Sequence, residues 1–519
     1  MGSPGRAAAG VLASAAAVLV LAPLLACAPT AAREPDRDAA VIRSEDGAPD
    51  DAARDDAARD DAAATGDPDA ETARDGAASQ IDAGPGPDAA PPQCSGPADC
   101  GSGRGCLAGL CRDQCLLGRC DLASSGRSCK AGLCVQCLSD GDCASGRKRC
   151  DQASATCVDR SIDPTRARIG IFYSTWHCIA ALERPVHDLA KVLAGQQSYG
   201  AYGVFHYWGQ PSAGYYCPSQ NDAVLRQHAE QLRDAGLDFV FIDATNHAYV
   251  DARSHDTPGM ILRPLDRLLA VWSTVPRAPR LVPWVPVVEA GVSASTYTVD
   301  AMLQRIAAYP GMHFSYLGKP LVLITENAQY PVNSAREAAL ATQYTVRRMW
   351  GMLPDGGSTW SFMQPCKASP TSAEPCQQRI ASGPAGSPAG EQLTVSAAYQ
   401  QTFMNVASAT PKHRGLTFRK QFQRALDWPE TPIITLTGWN EWIAQRQQCG
   451  HPACPCASYP DGCFIDQWDM EYSRDIEPGA NQMGTYYYRL MAACIALLRT
   501  GAQCDAAHAG DLCCRAWAP

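Results

Sequence analysis

Residues 228 to 246 read HAEQLRDAGLDFVFIDATN and join an amphipathic helix, a glycine turn and an apolar strand in one stretch. The helical pattern begins near residue 221 and ends near 235. Apart from Asp238, the run LDFVFID, residues 237 to 243, is apolar until its final aspartate. A short apolar run after a helix is typical of a parallel strand that is buried on both faces. The stretch therefore predicts one α/β unit with Asp243 at the carboxyl end of its strand.

The same alternation extends in both directions along the chain. Further candidate strands are 167 to 175, 201 to 208, 280 to 289, 319 to 326, 359 to 364, 393 to 399 and 432 to 439. Further candidate helices are 261 to 273, 298 to 308, 334 to 350, 414 to 427 and 483 to 499. About eight such units over roughly 340 residues predict an α/β fold of the (β/α)8 TIM-like barrel type, which we place at 160–502. No glycine-rich fingerprint follows the first strand, which disfavours a dinucleotide-binding fold.

The N-terminus, MGSPGRAAAGVLASAAAVLVLAPLLAC, has the form of a bacterial lipoprotein signal peptide, residues 1–27. The ending Leu-Leu-Ala-Cys resembles a lipobox, which predicts lipidation at Cys27 and an anchor in the outer membrane or cell surface. The alternative is an ordinary signal peptide with a chance cysteine. No later run approaches ~20 apolar residues, so we expect membrane attachment through the lipid only.

Residues 28–93 are almost wholly Ala, Asp, Arg, Gly and Pro, including DDAARDDAARDDAAA. So little apolar surface predicts a disordered acidic linker that holds the rest of the protein away from the membrane. The net charge is −9, and the sequence has no concentrated run of basic residues, which argues against nucleic acid as a partner. We expect no cofactor, and the sequence indicates no obligate protein partner.

The chain has 25 cysteines, which suits an exported protein in which disulfides persist. Twelve of them fall in 94–158 in three groups of four, which predicts disulfide-rich repeats with two bridges each, serving as a stalk or an adhesive module. Zinc is the competing use of these cysteines, as it is for Cys449, His451, Cys454, Cys456 and Cys463. We favour disulfides in both segments and in the tail, 503–519, and expect no metal site.

Polar and aromatic residues gather where the candidate strands end, which is where barrels of this type carry their active sites. Aromatic rings stack on sugar faces, and carboxylates transfer protons at a glycosidic bond. The pattern therefore predicts a carbohydrate site, although each residue could also be a core lid or a helix cap. The candidate substrate-binding residues are Tyr173, Trp176, His177, His206, Trp208, Asn246, Glu289, Trp439, Asn440, Trp442 and Glu477.

Several segments together resemble glycoside hydrolases related to families 71 and 99, which include alpha-1,3-glucanases and endo-alpha-mannosidases. They are IGIFYSTWH (169 to 177), FHYWGQPSAGYY (205 to 216), the stretch at 228 to 246, KPLVLITE (319 to 326), TGWNEW (437 to 442) and SRDIEP (473 to 478). The resemblance covers roughly residues 165 to 500. It implies a barrel that acts on glycans without a redox cofactor.

The resemblance places the general base of the endomannosidases on Glu441, but the glutamate expected three residues later is Ala444 here. A long insertion also separates Glu441 from Ile476-Glu477-Pro478. The general acid must then come from elsewhere, with Asp243, Glu326, Glu471 and Asp466 as candidates, and Asp243 with Glu441 is the preferred pair. The sequence thus predicts a surface-anchored glycoside hydrolase, with an inactive carbohydrate-binding barrel as the alternative. A barrel associated with glycosyl transfer fits export poorly, because nucleotide sugars are cytoplasmic.

Overall fold

The computed structural model describes residues 166–515 apart from 246–257, 288–293, 327–330, 351–357, 367–375, 385–389, 401–409, 451–453, 465–468 and 481–482, with shorter pieces between 95 and 163. The signal segment, Cys27, the acidic linker, Asn246, Glu289 and Asp466 lie outside the described residues. All the described residues belong to one compact unit, Asp88–Pro519. Among them, no helix has both the length and the apolar composition needed to cross a membrane.

The cysteine-rich segment forms three small antiparallel hairpins. Their strands are Arg104–Leu107 (β1), Leu110–Asp113 (β2), Ser128–Lys130 (β3), Leu133–Val135 (β4), Lys148–Asp151 (β5) and Thr156–Asp159 (β6), after a 3-10 turn at Pro97–Asp99. Disulfides join Cys100 to Cys111, Cys137 to Cys150 and Cys143 to Cys157. The last two bridges lie within the third predicted group of four, so the disulfide interpretation is confirmed for that group. Its sulfurs are bonded to each other and are not thiolates available to zinc.

Seven parallel strands form the main sheet of this mixed α/β chain. In spatial order they are Gln392–Ser396 (β14), Ile433–Thr437 (β15), Arg168–Tyr173 (β7), Phe239–Asp243 (β9), Arg280–Pro286 (β10), Lys319–Thr325 (β12) and Thr345–Met349 (β13). A short strand, Ser315–Tyr316 (β11), pairs antiparallel with β12. The order follows the chain from β7 to β13, and β15 returns to lie beside β7. The sheet therefore curls, but a closed eight-stranded barrel is not formed by the described residues.

A second sheet contains Phe205–Tyr207 (β8), Ile443–Gln447 (β16) and Cys463–Phe464 (β17), all paired antiparallel. This corrects the prediction that 201 to 208 is a barrel strand, because its partner is the strand that follows Glu441. Two other predictions were also wrong in part. The helix predicted at 334 to 350 ends early and gives way to β13, and the strand predicted at 359 to 364 is reduced to a single bridge between Trp360 and Met349.

Helices cover the outer face of the curled sheet. They are Cys178–Ala181 (α1), Leu189–Leu193 (α2), Asp222–Asp234 (α3), Arg263–Trp272 (α4), Ala294–Ala307 (α5), Ser334–Ala341 (α6), Leu416–Asp427 (α7) and Tyr486–Thr500 (α8), with a π-helical turn at Pro258–Leu262 before α4 and a 3-10 turn at His413–Gly415 before α7. Arg147, from the third hairpin, donates to the carbonyls of Leu426, Gly501 and Ala502 at the ends of α7 and α8. The cysteine-rich segment is thus hydrogen-bonded to the helical layer.

Alternate strand residues pack into two different cores, which explains why the strands are continuously apolar. In β9, Val240 and Ile242 face the helices, whereas Phe239 and Phe241 join an inner aromatic cluster with Trp284. A Cβ at Gly170 would lie 2.2 Å from the Phe239 ring, so glycine leaves room for that ring. The same alternation turns the side chain of residue 243 inward.

Candidate active site

Two separate segments of the chain, 437–442 and 473–478, are hydrogen-bonded to each other just beyond the end of β15. Gly438 N donates to Arg474 O at 3.0 Å, and Ile476 N donates to Gly438 O at 3.1 Å. Glu477 N donates to Trp439 O at 2.9 Å. We call these two segments the paired loops. Because their backbones are joined directly, the position of Glu441 depends on both.

Glu441 is held by its backbone and by its carboxylate. Its amide donates to Asp475 Oδ1, and its Oε2 accepts from Arg474 Nη2 at 2.5 Å. Arg474 is itself buried and also donates to Gln400 Oε1. The Glu441 side chain is nevertheless 11% exposed. A carboxylate paired with a buried guanidinium thus reaches the surface in a fixed orientation.

Asp243 lies at the inward-facing carboxyl end of β9 and is 5% exposed. Burial raises the pKa of its carboxyl to about 7, and the negative charge of Glu441 adds to this increase. Hydrogen bonds from Thr245 N and Oγ1, at 3.0 and 2.8 Å, and the positive charge of Arg474 oppose it. Asp243 and Glu441 therefore lie within electrostatic reach of each other, and Asp243 carries a proton over much of the range below neutrality.

Asp475 was missed by the sequence reasoning. It is fully buried, and its Oδ2 accepts from Trp208 Nε1 at 2.6 Å while Oδ1 accepts from the Glu441 amide. Burial raises the pKa of Asp475 to about 8, with a further contribution from Glu441, and the positive charge of Lys412 lowers it. The segment SRDIEP marked the region, but nothing in the sequence showed that residues 441 and 475 touch.

Glu477 is buried beneath the paired loops. Its carboxylate accepts from Trp442 Nε1 at 2.6 Å, from Tyr216 Oη at 2.9 Å and from His228 Nε2 at 2.9 Å. The Tyr173 hydroxyl lies 2.8 Å from the other ring nitrogen of His228. The structure thus places Tyr173 and Glu477 in an enclosed network that supports the loops from below.

The predicted indoles lie at different depths. Trp208 and Trp442 stack with ring centroids 4.5 Å apart, and both are enclosed, as is Trp439, which meets His228 edge-on. Trp176 is slightly exposed, and its Nε1 donates to Asp243 O at 3.1 Å. Of these four indoles, Trp176 is therefore the most exposed, and it is hydrogen-bonded to the backbone of Asp243.

Asn440 and His177 fasten the end of β7 to the paired loops. Asn440 accepts from Ser174 N at 2.8 Å and donates to Ser174 O at 3.1 Å, and His177 Nε2 donates to Asn440 O at 2.6 Å. His206 lies in the second sheet instead, where it accepts from Gly200 N and contacts Phe464. The structure does not bring His206 to the carboxylate pair.

The other candidate acids are bound elsewhere. Glu326, at the end of β12, accepts from Arg348 Nη1 at 2.7 Å and from Thr359 Oγ1 at 2.5 Å. In the sheet, β12 is four strands away from β15. Glu471 Oε1 accepts from the His413 amide at 2.5 Å. Asp243 is thus the candidate acid whose coupling to Glu441 the structure displays.

Ala444 lies in β16 opposite His206 and packs in an apolar cluster with Leu189 and Phe464. A side chain at this position is buried in the core of the second sheet. The insertion beyond it is closed by disulfides Cys449–Cys456 and Cys454–Cys463. Cys178–Cys217, Cys366–Cys376, Cys494–Cys513 and Cys504–Cys514 are also bridged, so the structural use predicted for the insertion and tail cysteines is confirmed.

Comparisons with known proteins give a distant structural similarity. No protein-family model and no curated protein matches the chain. The GH99 endo-alpha-mannosidase from Bacteroides thetaiotaomicron in complex with BIS-TRIS-propane is 11% identical, with a TM-score of 0.37 over 66% of this chain and 98% of that chain. A second structure of that enzyme is 12% identical, with a TM-score of 0.36 over 66% and 99%. Such values carry no argument about individual residues, so the chemistry rests on the site itself.

Proposed function

We propose that this chain is a glycoside hydrolase that cleaves an extracellular or cell-envelope polysaccharide with Asp243 and Glu441. Hydrolysis of a glycosidic bond needs a carboxylic acid that is protonated at working pH and a second carboxylate that acts as base or nucleophile. The observation that carries the proposal is the electrostatically coupled pair of Asp243 and Glu441, with the pKa of Asp243 raised to about 7.

The two carboxyl groups have environments that suit different roles. Asp243 is desolvated at the inner end of a strand, so it donates a proton to the leaving oxygen. Glu441 is aligned by Arg474 and acts as the base or nucleophile. Trp176, which is hydrogen-bonded to the Asp243 carbonyl, is the indole assigned to contact a sugar ring.

The proposal extends to where the reaction takes place. Lipidation of Cys27 and the acidic segment after it would hold the enzyme outside the cell, where polysaccharide is present and nucleotide sugars are not. The disulfides of the described residues are consistent with an oxidising compartment. A (β/α)8 barrel related to glycoside hydrolase families 71 and 99 is part of the same proposal.

The test is product release from a panel of bacterial and fungal polysaccharides by the full chain, purified in detergent. Glu441→Gln and Asp243→Asn should each lower the rate by at least about a hundredfold, because general acid–base groups contribute on that scale. Glu326→Gln and Glu471→Gln are the matched controls and should keep at least about half of the rate. Wild-type activity in Glu441→Gln would refute the assignment.

Binding without cleavage is the outcome that favours the alternative function. In that case wild type and Glu441→Gln would be retained equally on an immobilised polysaccharide, and the polysaccharide would not shorten over days. This result would identify a carbohydrate-binding protein. It would be consistent with the absence of a carboxylate at Ala444.

A further inference from the structure

Lys412 is a buried cation behind the paired loops, to which the proposed reaction assigns no role. Its side chain is fully enclosed, between the 3-10 turn before α7 and the second paired loop. The Lys412 amide donates to Glu471 O at 2.8 Å, and its carbonyl accepts from Gly415 N at 2.9 Å. The backbone of Lys412 is therefore fixed independently of its side chain.

The ammonium group of Lys412 contacts the segment that holds Glu441. Nζ donates to Ser473 Oγ at 2.8 Å and to Asp475 O at 3.2 Å, and it lies 3.4 Å from Met483 Sδ. The rings of Tyr487 and Trp208 lie 4.5 and 5.6 Å from it. Both polar contacts are to residues that flank Arg474.

Burial of an ammonium is costly unless nearby groups compensate it. Burial lowers the pKa of Lys412 to about 8, while the negative charges of Asp475, Glu471 and Asp469 raise it. The two hydrogen bonds of the ammonium and the nearby carboxylates offset this cost. The groups within its reach are the Ser473 hydroxyl and the Asp475 carbonyl, which are joined through the chain to the two residues that bind Glu441.

We propose that Lys412 is a positioning residue for Glu441: its ammonium fixes residues 473–475, so that Arg474 and Asp475 hold the Glu441 carboxylate and amide in place. Lys412 itself does not touch the substrate. The inference deepens the proposed function, since it identifies what keeps the reactive carboxylate aligned, and its role in turnover rests on that function.

The primary test is hydrogen–deuterium exchange, which needs no activity. In the full chain, Lys412→Met keeps the apolar stem and removes the ammonium, and it should speed exchange of the Glu441 amide by about tenfold or more. Met483→Leu removes only the sulfur contact, so its exchange should match wild type. Protection of the Glu441 amide at the wild-type level in Lys412→Met overturns the proposal.

A second variant protects the test against misfolding. Ser473→Ala deletes one hydroxyl and should speed exchange of the same amide several-fold. If Lys412→Met cannot be purified folded, unchanged exchange in Ser473→Ala overturns the proposal instead.

Kinetics then separate positioning from substrate binding. Lys412→Met should lower kcat about tenfold and leave KM within about twofold, because only the alignment of Glu441 changes. The double variant Lys412→Met, Asp475→Asn should have nearly the same kcat as Asp475→Asn alone. If the two substitutions acted independently, their fold reductions in kcat would multiply, and that result would contradict a shared path to Glu441. If wild type releases no product, the proposed function fails, but the exchange result still decides the role of Lys412.

Discussion

Replacing Asp243 by asparagine should stabilise the protein, and by more at pH 8 than at pH 5. Asparagine has nearly the same shape and keeps an oxygen that accepts from Thr245 N and Oγ1. It has no proton to lose, so the cost of placing a negative charge in a site that is 5% exposed disappears.

The size of the effect comes from the raised pKa. The pKa of Asp243 is about 7 in the folded protein, against an ordinary value of 3.8. Because the folded-state value is the higher one, this group's stabilising contribution is complete below about pH 3.8 and is lost as pH rises to about 7. At about 1.4 kcal/mol per unit, wild type should lose about 3 kcal/mol of stability relative to Asp243→Asn between pH 5 and pH 8.

The assay is thermal unfolding of both proteins at pH 5 and pH 8, followed by circular dichroism with the disulfides intact. The advantage of Asp243→Asn should grow by roughly 4 °C between the two pH values for a domain of this size. Asp461→Asn, which changes an exposed aspartate, provides the baseline for the substitution itself. An advantage that stays constant or shrinks as pH rises would refute the burial argument, and with it the choice of Asp243 as acid.

The rate of product release should fall about tenfold per pH unit above about pH 7, as Asp243 loses its proton, and a profile that stays flat to pH 9 would contradict this. Ala444→Glu should lower the melting temperature without raising product release, because side chain 444 packs with Leu189 and Phe464; a faster release of reducing sugar would disprove it. Glu477→Gln should reduce the free energy of unfolding by about 3 kcal/mol, since a buried acceptor of three hydrogen bonds is altered; denaturant melts that coincide with wild type would count against it.

The local pattern predicted much of the sheet because each strand is buried on both sides. The stretch at 228 to 246 is the clearest case, with a helix at Asp222–Asp234 and a strand at Phe239–Asp243 against predictions of 221 to 235 and 237 to 243. Its final aspartate lies at the strand end and faces inward, as an alternating pattern requires. The pattern that predicts this helix and strand lies within one continuous stretch, so a single sequence is enough to recognise it.

The errors arise where a distant partner decides the structure. Residues Thr345–Met349 continue a helical pattern but pair with β12, and Phe205–Tyr207 pairs with a strand more than 230 residues later. Strand propensity depends on such pairing more than on the residues themselves. Neither partner can be identified from a single sequence.

The candidate site shows the same division. Glu441 and Asp243 were predicted because each stands at or just beyond the end of an apolar strand. Arg474 and Asp475 bind Glu441 from a loop more than 30 residues further on, and Lys412 supports that loop from a third region. The burial of Trp208, Trp439 and Trp442 could not be predicted either, since a position at a strand end does not show whether an indole faces solvent or the core.

The direct hydrogen bonds between the paired loops have a consequence for how the protein can change. The whole insertion, from β16 through its two disulfides to residue 472, leaves and re-enters the fold at points that are tied to each other. The residues between its bridged cysteines can therefore vary while Glu441 and Arg474 stay paired. Substitutions there change the surface of the insertion and leave the Glu441 carboxylate in place.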